Sequence, residues 1–497
     1  MKNKDIFWLA GIILIVFIFN LFFLLKTEFF TGDSAYFNVR YVEHLLENKR
    51  PLTYDELSYG GRNVLVAPLF YYILAFFKLF LNSFFIYKFI PLLGSLFLLV
   101  VVYLIARDIT DDKRIIFLSV LFTSFIPILT EGLLNQVSVY SFLLPVMFFM
   151  IYCLIKMKKN NIYLTMFIIL SFVLPLLHQD SLLFVFALGF YLLLVNLESM
   201  MYSKSKNEAI LFFVFLAILI EFFIFKDAFL KYSLNLIWQN VPKSLLGSYF
   251  KDVSIFETIY KVGVLPIFFG IIGLFLGIIK EKSESAFFLS GLILADFLFL
   301  WLNLIIPVFG LMVLGIALTI LSTLGLTAFF SYLRKTKFHK NERNTNLFMF
   351  ILIIFVGLFM VIPSIVVANQ VIDSAPTRDE VEVLKFLGGT TFEFSLIGSS
   401  FNEGSVVSFF TNRQNIMDTN FLLAPYTDDR LDDLNSLFTT NSETKVKEIS
   451  DKYSIEYLFF SDKARKEYNI DNLRYENGRC LKKVKEIGKI KAYKIKC

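Results

Sequence analysis

Unbroken apolar runs separated by short polar segments dominate the first 368 residues. Runs long enough to approach or cross a hydrocarbon core of about 30 Å lie near residues 7–26, 84–106, 115–130, 139–155, 161–177, 181–197, 210–225, 260–279, 285–303, 305–333 and 346–368. They predict eleven transmembrane helices. One further run, 64–81, reaches only about 26 Å and carries Pro68 in its first turn, which fits a re-entrant or interfacial helix better than a crossing.

From about residue 370 the pattern changes to mixed polar and apolar positions. Short alternating or apolar runs at 393–398, 455–460, 480–486 and 489–495 read as strands, and 443–453 reads as a polar helix. The expected architecture is a polytopic α-helical membrane domain over residues 1–369, with a first outer loop at 27–82, followed by a small α/β domain at 370–497.

Composition agrees with this reading: 57% of residues are hydrophobic and the mean hydropathy is +0.66. The formal charge of +6 does not point to nucleic acid, because the lysines and arginines concentrate in short loops between spans. Lys2 and Lys4, then Arg107, Lys113 and Arg114, then Lys156, Lys158 and Lys159, then Lys204 and Lys206, then Lys280 and Lys282, then Arg334, Lys335, Lys337, Lys340 and Arg343 all fall on one face if 64–81 does not cross. The turns at 131–138, 178–180 and near 304 carry neither residue. The positive-inside tendency then makes the amino terminus of this multi-pass protein cytoplasmic and the C-terminal domain extracytoplasmic. The first span is too long for a signal-peptide core and is expected to stay as an anchor. Of the three cysteines, Cys153 lies in a span, while Cys480 and Cys497 flank the terminal hairpin and are expected as free thiols, a disulfide being the alternative in an oxidising compartment.

This topology gathers several polar residues on the outer face. Asp33 opens a helical pattern directly behind the first span, with Phe37, Tyr41 and Leu45 recurring at four-residue spacing; a carboxylate there serves either chemistry or helix capping. Glu131 precedes Gly132 in the second outer turn, and His178-Gln179-Asp180 forms a tight turn between two spans, where titratable side chains are costly unless they meet water or a partner. Arg62, Lys231 and Lys243 are cations in the outer loops. Glu221 and Asp296 lie inside spans, as a polar pathway or as an internal pair.

The order of one span, Gly32-Asp33-Ser34-Ala35-Tyr36-Phe37, an amphipathic helix running to Glu47-Asn48-Lys49-Arg50-Pro51, then Ser58-Tyr59-Gly60-Gly61-Arg62 and Pro68-Leu69-Phe70-Tyr71-Tyr72 resembles the first outer loop of GT-C glycosyltransferases. Within that class it is most similar to archaeal relatives of oligosaccharyltransferase catalytic subunits. The resemblance implies a polyprenyl (dolichyl) phosphate-linked sugar as donor, inverting transfer to a lipid, glycan or protein acceptor, and Asp33 as the first-loop aspartate acting as base or metal ligand. Glu131 and Asp180 would support it, Arg62, His178, Lys231 and Lys243 would meet the phosphate, and Mg or Mn would be held by Asp33 and Glu131. Two features depart from the family pattern. The second turn offers Glu131 before its glycine and the amides Asn135 and Gln136 after it, in place of an acidic motif, and no tryptophan follows Trp301, so the outer-domain Trp-Trp-Asp-Tyr-Gly signature that grips a peptide sequon is missing. A lipid-linked sugar transporter using Glu221 and Asp296, and an inactive assembly subunit, are the competing expectations.

Overall fold

The computed structural model describes residues 3–81, 83–199, 204–232, 238–250, 254–335, 342–476 and 478–497. Helix α1 (Asn3–Leu24) is followed by α2 (Asp33–Asn48), which starts behind Gly32 at φ +80° and stops where Lys49 turns left-handed ahead of Pro51. A short hairpin, β1 (Tyr54–Asp55) and β2 (Arg62–Asn63), leads to α3 (Leu69–Phe80). At 12 residues α3 is about 18 Å long, too short to traverse the bilayer.

The bundle continues through α4 (Ile86–Ile109), α5 (Lys113–Ser124), α6 (Pro127–Leu133), α7 (Tyr140–Lys156), α8 (Asn161–Leu177), α9 (Leu182–Leu197) and α10 (Lys204–Tyr232). After α11 (Lys243–Tyr249) and α12 (Ile255–Val262) come α13 (Val264–Phe275), α14 (Glu284–Trp301), α15 (Pro307–Lys335), α16 (Glu342–Val356) and α17 (Ile362–Asp373). Among the described residues seven helices are long and apolar enough to cross a membrane, or nine when each of two bent pairs is one span. The two remaining expected spans are α7 and α8, of 17 residues and about 26 Å each, marginal against the core thickness. The expected run 115–130 is bent by 47° between α5 and α6, where Pro127 opens the second piece. The run expected at 260–279 is likewise not one straight helix: α12 meets α13 at 98°, across Gly263 at φ +99°.

Helix α15 is almost wholly buried and forms the axis of the bundle. Its contact with α13 is close because both helices are glycine-lined. A Cβ on Gly273 would lie 1.9 Å from the Leu321 carbonyl oxygen, and one on Gly325 would lie 2.1 Å from that of Phe269. Without a hydrophobic driving force between helices in lipid, such backbone approach is what holds them together.

The C-terminal domain adds α18 (Arg378–Thr390), β3 (Leu396–Gly398), α19 (Gly404–Thr411), β4 (Gln414–Asn415), α20 (Thr427–Thr439), α21 (Glu443–Tyr453), β5 (Ile455–Phe460), α22 (Asp462–Tyr468), β6 (Leu481–Ile487) and β7 (Ile490–Ile495). The sheet order is β4-β3-β5-β7-β6, with β3 parallel to both neighbours and β7 antiparallel to β5 and β6. The β6–β7 register sets Leu481 opposite Ile495, which brings the flanking Cys480 and Cys497 together with Cα atoms 4.7 Å apart. They form a disulfide, correcting the expectation of two free thiols; Cys153 is the free, buried one.

This domain is seated on the first loop. The Asn415 backbone N–H donates to the Leu57 carbonyl at 2.8 Å, and the Tyr59 hydroxyl donates to the Asp418 carbonyl at 2.7 Å.

Candidate active site

Glycine-preceded α2 and the amide-rich turn after α6 are stitched together. The Thr31 backbone N–H donates to the Asn135 carbonyl at 3.0 Å, Asn135 Nδ2 donates to the Phe29 carbonyl at 2.9 Å, and Asn38 Nδ2 donates to the Val137 carbonyl at 2.8 Å. Asn135 sits at φ +55°, a conformation asparagine tolerates better than most residues. Asn135 thus ties this turn to the first loop, and Gln136 and Val137 next to it face a cavity.

This cavity, of about 400 Å³, lies between the first loop, the turns after α6 and α8, α11 and the C-terminal domain. Glu131, His178 and Asp180 all line it, so three of the expected residues, drawn from two turns, meet at one place. Asp180 is 5% exposed and stands at the centre of a small network. Its Oδ2 accepts the Tyr140 hydroxyl at 3.0 Å and lies 3.3 Å from His178 Nδ1. Tyr140 is fixed in turn by stacking on Phe309, with ring centroids 4.7 Å apart. Burial works against a charged His178 imidazole, yet the adjoining Asp180 carboxylate outweighs it and holds the pKa above the ordinary histidine value. Behind Asp180, the Ser181 hydroxyl donates to Glu221 Oε1 at 2.9 Å, which gives the in-span Glu221 a partner; neither carboxylate oxygen of the fully buried Asp296 has one among the described residues.

Asp33 is placed differently. Its Oδ1 accepts the backbone N–H groups of Ser405 (2.7 Å) and Val406 (3.1 Å), and its Oδ2 accepts the backbone N–H (3.2 Å) and hydroxyl (2.9 Å) of Thr419. Instead of capping its own helix it caps α19, where N–H groups lack intrahelical partners. Ser34, the next residue, lines the cavity; Asp33 does not. Burial, then the charge of Asp418, raise its pKa to about 6, against the lowering effect of the hydrogen bonds from Thr419 and Val406.

Arg62 belongs to the same seam. Its Nε donates to Ser58 Oγ at 2.6 Å, its Nη1 donates to the Leu422 carbonyl at 2.8 Å, and its Nη2 lies 3.9 Å from Asp418 Oδ1. It is 3% exposed and does not line the cavity. Lys231, exposed at the end of α10 with its ammonium 5.1 Å from the Tyr232 ring, and Lys243, exposed at the start of α11, do not line it either. Lys261 does not line the cavity either, but it is bonded to a side chain that does: its Nζ donates to Glu131 Oε1 at 3.1 Å and lies 3.3 Å from Glu257 Oε1. The i, i+4 pairing of Glu257 and Lys261 just ahead of Gly263 was its signal in the sequence.

Among the described residues no group of three or more His, Cys, Asp or Glu side chains is placed to hold a metal ion. The two carboxylates expected to share Mg or Mn have other partners: Asp33 takes four donors from the C-terminal domain and Glu131 takes Lys261. The donor set as placed does not fit a divalent ion.

No family model matches the chain, and no curated protein matches it in sequence. Solved structures do. The Archaeoglobus fulgidus oligosaccharyltransferase AglB, in complex with an inhibitory peptide and a dolichol-phosphate, superposes with a TM-score of 0.67 at 13% identity over 92% of this chain and 70% of that one. The same enzyme with Zn and sulfate gives 0.60 at 15% identity over 89% and 67%. ArnT from Cupriavidus metallidurans, bound to undecaprenyl phosphate, gives 0.57 at 11% identity over 99% and 98%. At these identities the likeness is one of architecture, and because it extends over nine-tenths or more of this chain in both cases, the chain has the GT-C fold of these membrane glycosyltransferases.

Proposed function

We propose that the protein is an integral-membrane glycosyltransferase that moves a sugar from a polyprenyl-phosphate-linked donor to a lipid, glycan or protein acceptor. The observation that carries this reading is the convergence of Glu131, His178 and Asp180 on one cavity at the mouth of a GT-C bundle. The bilayer delivers the donor, and the cavity accommodates its sugar phosphate.

In this reading the acceptor's hydroxyl or amide attacks the anomeric carbon from the side opposite the phosphate. A new bond to that carbon forms, the carbon–oxygen bond to the lipid phosphate breaks with its electron pair leaving on the phosphate, and the acceptor's proton passes to Asp180. A single displacement of this kind inverts the anomeric centre. Tyr140 aims the Asp180 carboxylate, and the His178 imidazolium offsets the charge gathering on the phosphate. Asp33 and Arg62 act as positioning residues, holding the C-terminal domain over the first loop. The Cys480–Cys497 disulfide supports an extracytoplasmic location for that domain, since such bonds persist in oxidising compartments.

The test is release of polyprenyl phosphate and formation of glycoside by the full-length protein in proteoliposomes supplied with a polyprenyl-phosphate hexose and acceptor extracts. Turnover by the wild type and its loss in Asp180→Asn are expected. Movement of labelled donor across the bilayer without glycoside formation would instead establish a transporter, and donor binding without either outcome an inactive subunit.

A further inference from the structure

The cavity has no lysine or arginine among its described lining residues, although its proposed donor carries a phosphate. The one lysine bonded to a lining carboxylate among the described residues is Lys261, and it sits on an unusual helix. Helix α12 lies at 98° to α13, so if α13 crosses the bilayer α12 runs along its surface. Gly263, at φ +99°, makes that corner at a conformation side chains rarely adopt. Outwardly α12 presents Ile255, Phe256 and Tyr260, which are 77%, 85% and 45% exposed. Inwardly it presents Glu257 and Lys261, with Lys261 reaching Glu131 at the cavity wall. An apolar face toward lipid and a charged face toward a site is the amphipathic arrangement of an interfacial helix.

We infer that Lys261 binds the phosphate of the lipid-linked donor and that α12 is the ledge over which the isoprenoid chain reaches the cavity. The inference rests on the glycosyltransferase reading above and adds the side of donor entry and the phosphate ligand. An ammonium has three N–H donors. One donates to Glu131 Oε1 at 3.1 Å, and the group lies 3.3 Å from Glu257 Oε1, which holds it at the cavity's edge with N–H capacity to spare for a phosphate oxygen. When the sugar leaves, the phosphate gains a negative charge, and a fixed ammonium is then worth more than before transfer. The same two carboxylates repel free phosphate, which obtains no compensating contact from Ile255, Phe256 and Tyr260. The ligand to which the helix commits is therefore a lipid phosphate.

The experiment measures binding of a polyprenyl monophosphate to the full-length protein in nanodiscs, read by native mass spectrometry, beside its glycosyl transfer. Lys261→Met is expected to weaken binding roughly tenfold or more, as loss of a charge-assisted hydrogen bond does, and Lys261→Arg to restore most of it. Free polyprenol should bind no better to the wild type than to Lys261→Met, millimolar inorganic phosphate should not compete, and a chelator should leave binding intact. Unchanged binding in Lys261→Met, competition by inorganic phosphate, or loss of binding on chelation overturns the inference. In the first case, continued transfer that is lost in Asp180→Asn leaves the glycosyltransferase reading standing. A wild type that neither binds the lipid phosphate nor transfers sugar removes both. If Lys261→Met does not fold, a photoreactive polyprenyl phosphate on the wild type decides: crosslinks within 255–262 support the inference, and crosslinks confined to other helices overturn it.

Discussion

Asp33 Oδ1 stands 2.7 Å from the backbone nitrogen of Ser405, joining the first residue of α2 to the first turn of α19 across 372 positions of sequence. With Val406 and Thr419 also donating to it, this buried carboxylate is a four-donor polar clasp between the first loop and the C-terminal domain. Asp33→Ala leaves three backbone N–H groups and a hydroxyl without their acceptor, at a cost of about 2–4 kcal/mol. The expected result is a lower unfolding temperature in detergent and faster proteolysis between 370 and 420.

The same clasp has a pH signature. The Asp33 pKa is raised to about 6 from an ordinary value of 3.8, so the folded state binds a proton more readily than the unfolded chain between those values. Its contribution is fully present below the lower value and is lost as pH rises through the upper one. Asp33→Asn should therefore remove a decline in thermal stability between about pH 4 and pH 6. Melting curves of both proteins across that range check it; an identical slope would show that Asp33 does not set the trend.

At the cavity, His178 and Asp180 are expected to separate in their kinetics. Asp180→Asn keeps an acceptor for Tyr140 but cannot take a proton, and should lower transfer by roughly 10²–10⁴-fold. His178→Gln should retain more activity and lose the falling alkaline limb of the pH profile. That limb is expected because burial, which lowers the His178 pKa, is outweighed by the Asp180 carboxylate, so that the value lies above the usual 6.5; the imidazolium's contribution is complete below the usual value and lost as pH rises through the elevated one. Transfer rates against pH for the three proteins measure this.

How much of this was legible in the sequence depended on the range of the interaction. The helix at 443–453 and the strand at 455–460 occupy the expected residues because local periodicity and the left-handed Ser454 between them determine both. The Asp33 position was legible as a helix start, but its partners lie more than 370 residues away, beyond any periodic signal. Lys261 was hidden for another reason. Residues 260–279 read as one apolar run, and only the right-angle corner at Gly263 separates the lysine from the span. The pairing of Cys480 with Cys497 follows from strand register, which spacing alone does not fix.

In the bundle, Gly325 offers a sharp test of the α13–α15 contact. Its added Cβ would lie 2.1 Å from the Phe269 carbonyl oxygen, a backbone atom that cannot rotate aside. Gly325→Ala must push the two helices apart, with loss of the packing that Gly270 and Gly273 also support, and should destabilise by several kcal/mol. Gly189, with nothing within 4 Å of an added Cβ, is the internal control. Gly189→Ala should leave the unfolding temperature in detergent unchanged or slightly higher, by the helix preference for alanine.

The disulfide provides the last test. Cys480 is fully buried just ahead of β6, and Cys497 lies 17 positions later, beyond β7. Joining them closes a loop whose restriction of the unfolded chain contributes about 3 kcal/mol. The bond also pins the open end of the β6–β7 hairpin, where Lys496 N donates to the Cys480 carbonyl at 2.8 Å. Reduction, or Cys497→Ser, should therefore fray the edge strand β6 before it disturbs the bundle. Hydrogen exchange should rise over 481–495 while the membrane helices stay protected. A uniform rise over both parts would mean that the domain's edge and the bundle unfold as one cooperative unit.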